Sequence, residues 1–98
     1  MKRHKLLPLS ETMHLILLAL REPLHGYAIM QKIEEMSSGN VRIAAGTLYG
    51  ALDNLVKQDW IEPYPSEDPR RKIYLITPHG LGILEIEKKR LEEMIRLY

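Results

Sequence analysis

The sequence predicts a mainly α fold with a small β-hairpin, in the order three helices, two strands and a long fourth helix. Apolar residues recur three and four positions apart in the helical segments, which is the spacing of an amphipathic helix. Two short β-prone segments flank a polar, proline-containing turn, which is typical of a hairpin. A chain of 98 residues has room for one hydrophobic core, so these elements are expected to form one compact unit.

The first three helices are bounded by residues that start or stop helices. Ser10 can cap the first helix through its hydroxyl, and Pro23 ends that helix. The second helix begins near residues 25–27 (His-Gly-Tyr) and ends at the Ser-Ser-Gly-Asn segment of residues 37–40. The third helix is expected from about Ala45 to Asp59, with a leucine-rich apolar stripe facing the core.

The predicted hairpin pairs residues 61–64 with residues 72–77 across a turn at residues 65–69. Pro63 and Pro65 lack the amide hydrogen that a central strand must donate. The first strand is therefore expected at an edge of the sheet.

Composition and charge exclude several classes of protein. With 45% hydrophobic residues, 28% charged residues and a net charge of +1, the chain matches an ordinary globular domain. The absence of cysteine excludes disulfides, thiolate metal sites and cysteine nucleophiles. The longest apolar stretch is too short to span a bilayer, and we expect a cytoplasmic protein without a membrane partner.

No set of residues indicates catalysis or a cofactor. The four histidines do not occur at a metal-ligand spacing, and the paired glutamates are not matched with a nucleophile or a base in a known motif. Such side chains more often pack or carry solvated charge. The sequence therefore predicts that the protein is not an enzyme and holds neither a metal nor a cofactor.

Positive charge is concentrated at two places. Arg70, Arg71 and Lys72 lie beside the predicted turn, where three adjacent cations suit contacts with a phosphate backbone. The alternative is a solvated basic turn. A second group near the N-terminus could form a basic arm or simply fray in solvent; its members are Lys2, Arg3 and Lys5.

The third helix presents a polar outer surface when its apolar stripe faces the core. Its outward residues are Thr47, Tyr49, Gly50, Asp53, Asn54 and Lys57. Gly46 and Gly50 each weaken a helix by about 1 kcal/mol relative to alanine, which suggests that another molecule approaches the backbone closely. A DNA phosphate fits such a helix start, with Thr47 and Tyr49 as hydroxyl donors and Asn54 available to a base edge. Alternatively, Gly46 caps the helix and Tyr49 packs on a neighbouring element.

The last helix begins at Thr77, a good N-cap, has Pro78 at its first position, and continues to the C-terminus. Its apolar residues exceed what one small core can cover. They form a seam at Leu81, Leu84, Leu91, Ile95 and Tyr98, widened by Ile83, Ile86, Met94 and Leu97. A two-helix contact between two copies of the chain would cover this surface. Alternatively, the helix folds back across the first helix of its own chain, and the two arrangements can coexist on different faces.

Three blocks of the sequence resemble the PadR family of transcriptional regulators. Residues 25–29 (His-Gly-Tyr-Ala-Ile) are similar to an HGY-type motif in the family's second helix. Residues 46–52 (GTLYGAL) resemble its recognition-helix signature, GTLYxAL. Residues 70–80 resemble its wing and closing pattern, R-K-x-Y-x-L-T-x-x-G. The blocks keep the family's order and spacing over about residues 9–80.

The resemblance implies a winged helix-turn-helix DNA-binding domain in residues 1–80 and a dimerisation helix in residues 81–98. It implies a homodimeric transcriptional regulator of a near-palindromic operator in double-stranded DNA, usually a repressor relieved by a small molecule, such as a small aromatic or drug-like effector. Residue chemistry and motifs together assign DNA binding to Thr47, Tyr49, Gly50, Asn54, Lys57, Arg70, Arg71 and Lys72. The predicted dimer contacts are Leu84, Leu91, Met94, Ile95 and Tyr98.

The chain departs from the family pattern at two positions. Gly50 stands where many members have proline, and Ala44-Ala45 replaces a polar cap. Some members stack flat aromatic drugs on a tryptophan of the last helix, whereas the only tryptophan here is Trp60, so that mode is not carried over. The alternative function is a winged-helix protein–protein interaction module without direct DNA binding.

Overall fold

Four helices and three strands make up the computed structural model, which describes residues 4–98. In chain order the elements are α1 (Glu11–Ala19), β1 (Leu24–His25), α2 (Gly26–Met36), α3 (Ala45–Lys57), β2 (Ile61–Tyr64), β3 (Ile73–Ile76) and α4 (Pro78–Ile95). The predicted order of three helices, a hairpin and a long helix is confirmed. The predicted division at residue 80 falls inside the first turn of α4.

The sheet has three strands, not the two that the sequence predicts. β3 is the central strand, and β2 and the two-residue β1 pair with it in antiparallel orientation on either side. In β1, Leu24 pairs with Tyr74 and His25 with Ile73. A strand of two residues has no alternating pattern, so only its pairing with β3 defines it. The edge position expected for the proline-containing strand is confirmed, because Pro63 lies in β2.

Local hydrogen bonds set the ends of the helices. The hydroxyl of Ser10 caps α1 by accepting a hydrogen bond from the amide of Met13 at 3.1 Å. α3 ends at Lys57, earlier than predicted, because Asp59 adopts a left-handed conformation with a φ of 61°. The amides of Asp59 and Trp60 donate back into the last turn of α3, which is the pattern of a Schellman motif. The chain therefore turns sharply after α3 and carries Trp60 into the core.

The core lies where the four helices meet the sheet. Trp60, directly after α3, is completely buried and packs edge-on against the rings of His4 and His79. The buried apolar residues of the core are Leu9, Ile16, Leu17, Ala19, Leu20, Ile29, Ile33, Leu48, Leu52, Leu55, Trp60, Ile61, Tyr74, Ile76, Ile83 and Leu84. Every helix contributes to this list, so α4 is built into the same core as the first three helices.

The first turn of α4 packs directly on the backbone at Trp60. The Thr77 hydroxyl accepts a hydrogen bond from the amide of Gly80 at 3.0 Å and donates one to the carbonyl of Asp59 at 2.6 Å. The Thr77 amide donates to the carbonyl of Trp60 at 3.0 Å. Gly80 permits this approach, because a methyl group on it would clash with the Trp60 carbonyl.

Gly80→Ala should therefore destabilise the fold, because the new methyl group meets backbone atoms that cannot rotate away. We expect the free energy of unfolding, measured by urea denaturation, to fall by about 1–3 kcal/mol. Gly82→Ala is the matched control, since no atom lies within 4 Å of its new methyl group. That variant should gain up to about 1 kcal/mol, and equal stabilities of the two variants would contradict the packing described above.

Glu87 is a fully buried carboxylate between α1 and α4, which the sequence analysis did not identify. It accepts hydrogen bonds from the amide of Leu9 at 2.5 Å and from Nε of Arg90 at 2.9 Å. The charge of His14, on α1, also acts on it. Glu87 thus holds the segment that precedes α1 against α4.

Both titratable groups of this cluster have lowered pKa values. Burial by itself raises the pKa of Glu87, but the hydrogen bonds from Arg90 and Leu9 and the charges of Arg90 and His14 outweigh it. Burial lowers the pKa of His14; the charge of Glu87 opposes that shift and the charge of Arg90 adds to it. Both groups therefore hold protons more weakly in the folded than in the unfolded chain, and stability rises with pH wherever they titrate.

We expect the free energy of unfolding to fall in acid. The loss begins below about pH 6.5, where His14 of the unfolded chain takes up a proton first, and continues below about pH 4.3, where Glu87 does the same. Glu87→Gln should cost about 1–3 kcal/mol at neutral pH and make the decline below about pH 4.3 shallower. Urea denaturation across this pH range measures both effects. Glu35→Gln is the control, at an exposed position of α2, and it should change neither the stability at neutral pH nor its decline in acid. If stability declined in acid as steeply in Glu87→Gln as in the wild type, the role of this carboxylate would be contradicted.

Candidate nucleic-acid interface

The outer face of α3 is made of short and polar residues. Leu48, Leu52 and Leu55 are buried against the core. The helical repeat sets the centre of the outer face opposite these leucines, and it consists of Gly46, Gly50, Asp53 and Lys57. Of the residues predicted to bind DNA on this helix, Asn54 is half-buried, and those that are exposed are Thr47, Tyr49, Gly50 and Lys57.

Gly46 and Gly50 leave the backbone of this face uncovered. A methyl group on either glycine would meet no atom within 4 Å, and neither residue has a positive φ. Alanine would therefore fit at both positions and would favour the helix by about 1 kcal/mol each. The internal packing of the protein therefore does not explain these two glycines.

Tyr49 extends from α3 to the start of α2. Its side chain is 48% exposed, yet a methyl group on Gly26 would lie 2.6 Å from the Tyr49 hydroxyl. Gly26 therefore makes room for Tyr49, and this contact joins the HGY-type motif of α2 to the GTLYxAL-type signature of α3. Tyr49 packs on a neighbouring element while about half of it stays open to a ligand.

An open cleft of about 690 Å³ lies between α3, the start of α2 and the wing, the name used here for residues 61–76. Its lining residues are His25, Gly26, Tyr27, Tyr49, Asp53, Asp68, Arg70, Arg71, Lys72 and Tyr74. The fold thus brings Tyr49 of α3 to the same cleft as the three predicted wing cations, which are distant in the sequence.

The three wing cations are not equivalent. Asp68 accepts a hydrogen bond from the amide of Arg70 at 2.9 Å, and its Oδ1 lies 3.5 Å from Nε of Arg70. This tip carboxylate offsets part of the charge of Arg70. Arg71 and Lys72 are exposed, and across residues 4–98 neither forms a salt bridge. The positive field of the wing therefore comes mainly from Arg71 and Lys72.

The other residues of α3 that are predicted to bind DNA do not line this cleft. Lys57 borders a second groove of about 570 Å³, between the end of α3 and the wing. Thr47 and Asn54 line neither groove. Of the predicted basic arm, Lys5 is exposed, and outside the described residues lie Lys2 and Arg3.

Asp53 belongs to this surface but is absent from the predicted site. It is exposed, lies one helical turn after Tyr49, and lines the cleft. Burial raises the pKa of Tyr74, and the nearby charge of Asp53 and then that of Tyr49 raise it further. The helical repeat alone is enough to place Asp53 on the outer face. Its negative charge is unfavourable beside phosphates.

The apolar surface of α4 divides between the two halves of the helix. Leu84 is 8% exposed and belongs to the core of its own chain. The helical repeat sets it on the same face as the buried Gly80 and Ile83. Leu84 also lines the groove between α1 and α4, so its place at the dimer contact stays a prediction. Further along α4, the remaining predicted dimer residues are exposed; they are Leu91, Met94, Ile95 and Tyr98.

A groove of about 720 Å³ runs between α1 and α4. Its apolar lining residues are Leu18, Leu81, Leu84, Leu91 and Ile95. The first half of α4 packs on α1 of its own chain, as one of the two alternatives predicts, and the groove continues toward the exposed second half. The apolar surface left over is therefore a continuous strip along one side of α4.

Within residues 4–98, no helix has the length and apolarity that crossing a membrane requires. In the same part of the chain, no three side chains of metal-binding type are grouped closely enough to hold an ion.

Comparison of the sequence with known proteins finds several relatives. A relative in Lysinibacillus sphaericus, "Uncharacterized protein X", is 33% identical over 87 residues, which are 83% of this chain and 80% of the relative. The Escherichia coli transcriptional regulator YqjI is 32% identical over 72 residues, which are 74% of this chain. A protein of a Streptomyces fradiae transposon is 39% identical over 79 residues, which are 80% of this chain. The chain spans 34% and 22% of the length of the last two relatives, respectively.

Solved structures of transcriptional regulators have a similar fold. A transcriptional regulator from Clostridium thermocellum superimposes with a TM-score of 0.75 at 29% identity, covering 87% of this chain and 84% of the other. A PadR family transcription regulator from Clostridium difficile superimposes with a TM-score of 0.75 at 25% identity, covering 90% and 94%. The model of the family described as "Transcriptional regulator PadR-like family" matches residues 15–86. With most of its length matched by that model, and with a winged-helix fold in which α3 and the wing share one cleft, this chain belongs to the PadR-like family of transcriptional regulators, whose members are regulators and not enzymes.

Proposed function

We propose that this protein is a homodimeric, sequence-specific DNA-binding repressor whose two α3 helices enter successive major grooves of a near-palindromic operator. The observation that carries this proposal is the uncovered backbone of Gly46 and Gly50 on α3, the helix whose Tyr49 lines the same cleft as the cations of the wing. A helix without side chains at these positions can lie close to DNA, and the cations attract the phosphates. The half-sites of such an operator are separated by one helical turn, about 34 Å.

Each predicted DNA-binding residue has a role that its chemistry supports. The hydroxyls of Thr47 and Tyr49 and the ammonium group of Lys57 donate to phosphate oxygens and set the position of α3. The amide of Asn54 donates to and accepts from a base edge at the margin of the groove. The wing cations follow the neighbouring backbone or the minor groove, with Arg70 weakest because Asp68 offsets its charge. A role on operator DNA also agrees with the predicted cytoplasmic location.

The dimer forms through the second half of α4 and the groove between α1 and α4. Ile95 is 68% and Tyr98 100% exposed in the single chain, and apolar side chains this open on one strip are typical of a protein interface. In a twofold-symmetric pair, α4 of each subunit covers the groove of the other. Binding to two half-sites requires that this pair present its two α3 helices on one side of the dimer.

Relief of repression by a small aromatic or drug-like effector is the regulatory part of the proposal. The groove of about 720 Å³ between α1 and α4 falls within the usual size range of ligand pockets. A molecule held there, between the subunits, would change the angle between the two α4 helices and with it the spacing of the two α3 helices.

Selection of bound duplexes from a random-sequence library tests the DNA-binding proposal. We expect one recurring near-palindromic sequence, whose affinity, measured by fluorescence anisotropy, falls steeply with salt, by about 0.9 in log–log slope for each phosphate neutralised. Recovery without any preferred sequence, or binding that does not depend on salt, would contradict it and favour the protein-interaction alternative.

Gly50→Ala and Gly82→Ala form a matched pair for the same experiment. Both methyl groups enter open space, so both variants should be more stable by up to about 1 kcal/mol. Only Gly50→Ala should bind the selected duplex more weakly, by about 1–3 kcal/mol, the size of one mismatched base pair. Wild-type affinity in Gly50→Ala would mean that the exposed backbone of α3 does not meet DNA.

Ile95→Glu should convert the dimer into a folded monomer, because a carboxylate is introduced into the apolar strip. Light scattering after size-exclusion chromatography is expected to give twice the chain mass of 11.4 kDa for the wild type and that mass itself for the variant. Ile86→Glu is the matched control, since Ile86 is also exposed but lies on the side of α4 away from the groove. A monomeric wild type, or equal masses for the two variants, would contradict this interface.

A further inference from the structure

Asp53 occupies the middle of the surface that the proposed function turns toward DNA. It lies three residues after Gly50 and four before Lys57, on the side of α3 opposite its buried leucines. The residue is exposed and borders both grooves between α3 and the wing. A carboxylate at this position would sit between the phosphates of the two strands when α3 lies in a major groove.

The structure gives Asp53 no role inside the protein. Across residues 4–98, none of the salt bridges includes Asp53, although Arg71 and Lys72 line the same two grooves. Asp53 therefore does not act as a counter-ion that holds the wing in place. It is also not needed as a helix cap, because it lies in the middle of Ala45–Lys57.

An exposed carboxylate facing a polyanion lowers affinity unless it accepts hydrogen bonds there. Phosphate oxygens offer no donor, whereas the major-groove edges of the bases offer the amino groups of cytosine and adenine. Adenine presents its amino group beside an acceptor nitrogen, N7, which repels a second carboxylate oxygen. Cytosine presents its N4 amino group without such an acceptor on the same base, and Asp and Glu are its usual partners.

The short side chain of Asp53 requires a close approach of the helix. Lysine or arginine can reach a base edge from a distance, but aspartate has a single methylene group between its backbone and its carboxylate. Gly46 and Gly50, which lie on the same stripe, allow that approach because nothing projects from them. The two glycines therefore permit the close approach of α3 to the base edges that the short side chain of Asp53 requires.

We propose that Asp53 is a sequence-determining residue of this regulator, and that it accepts a hydrogen bond from the N4 amino group of one cytosine in each half-site. The inference rests on the proposed DNA-binding function and names the base that this position of α3 selects. The same charge repels duplexes that lack a donor at this position, so Asp53 contributes to specificity by excluding other sequences as well as by binding its own.

Selection from a random-sequence library with the wild type, Asp53→Asn and Glu35→Gln tests this inference. In the wild-type sequences we expect one cytosine per half-site that is nearly invariant. Asp53→Asn should replace that preference, with adenine favoured because an amide pairs with adenine N6 and N7. Affinity of the variant for the wild-type duplex should fall about tenfold or more, the lower part of the range for one base contact, while its affinity for unrelated duplexes should rise.

Glu35→Gln removes the same charge from an exposed position at the far end of α2, and it should leave the selected sequence unchanged. Circular dichroism and thermal unfolding establish that each variant folds, which the exposure of both side chains leads us to expect. An unchanged base preference in Asp53→Asn, or an equal gain in affinity for every duplex, would overturn the inference while leaving the proposed function intact. A wild type that selects no sequence would overturn both.

Discussion

The close packing of α4 on the backbone at Trp60 is the constraint on which the rest of the molecule depends. Trp60 follows the left-handed turn that ends α3, and its carbonyl accepts the amide hydrogen of Thr77. Gly80 lets the first turn of α4 rest on that carbonyl. The end of the proposed recognition helix and the start of the proposed dimerisation helix are therefore one rigid corner.

Four glycines of this chain fall into two groups, which differ in the space around the Cα atom. Gly26 and Gly80 are small because Tyr49 and the Trp60 backbone, respectively, lie against them. Gly46 and Gly50 face open space, and the folded chain by itself would be more stable with alanine there. A residue that weakens the fold without an internal reason points to an external one, and on α3 we propose that this reason is the approach of DNA.

Much of the architecture could be predicted from residue spacing and from residues that start or stop helices. The helix caps at Ser10 and Thr77 and the edge position of Pro63 agree with the structure. β1 was missed, because two residues carry no pattern until β3 lies beside them. The spacing of Leu84 fits both the core and the seam, and only the tertiary structure shows that it packs in the core of its own chain. Glu87 was missed because a charged residue on the buried face becomes tolerable only when partners from elsewhere in the fold reach it.

The sequence by itself determined the family, the order of the elements and the residue types of the candidate site, because local spacing and short motifs carry that information along the chain. Only the tertiary structure decided which of those residues share a surface. It brought Tyr49 to the wing cations, left Arg71 and Lys72 without acidic partners in the described chain while Arg70 has one, and set Asp53 in the middle of the outer face. The physical reason is that charge and shape at a surface depend on distances between elements, and those distances exist only once the core around Trp60 has formed.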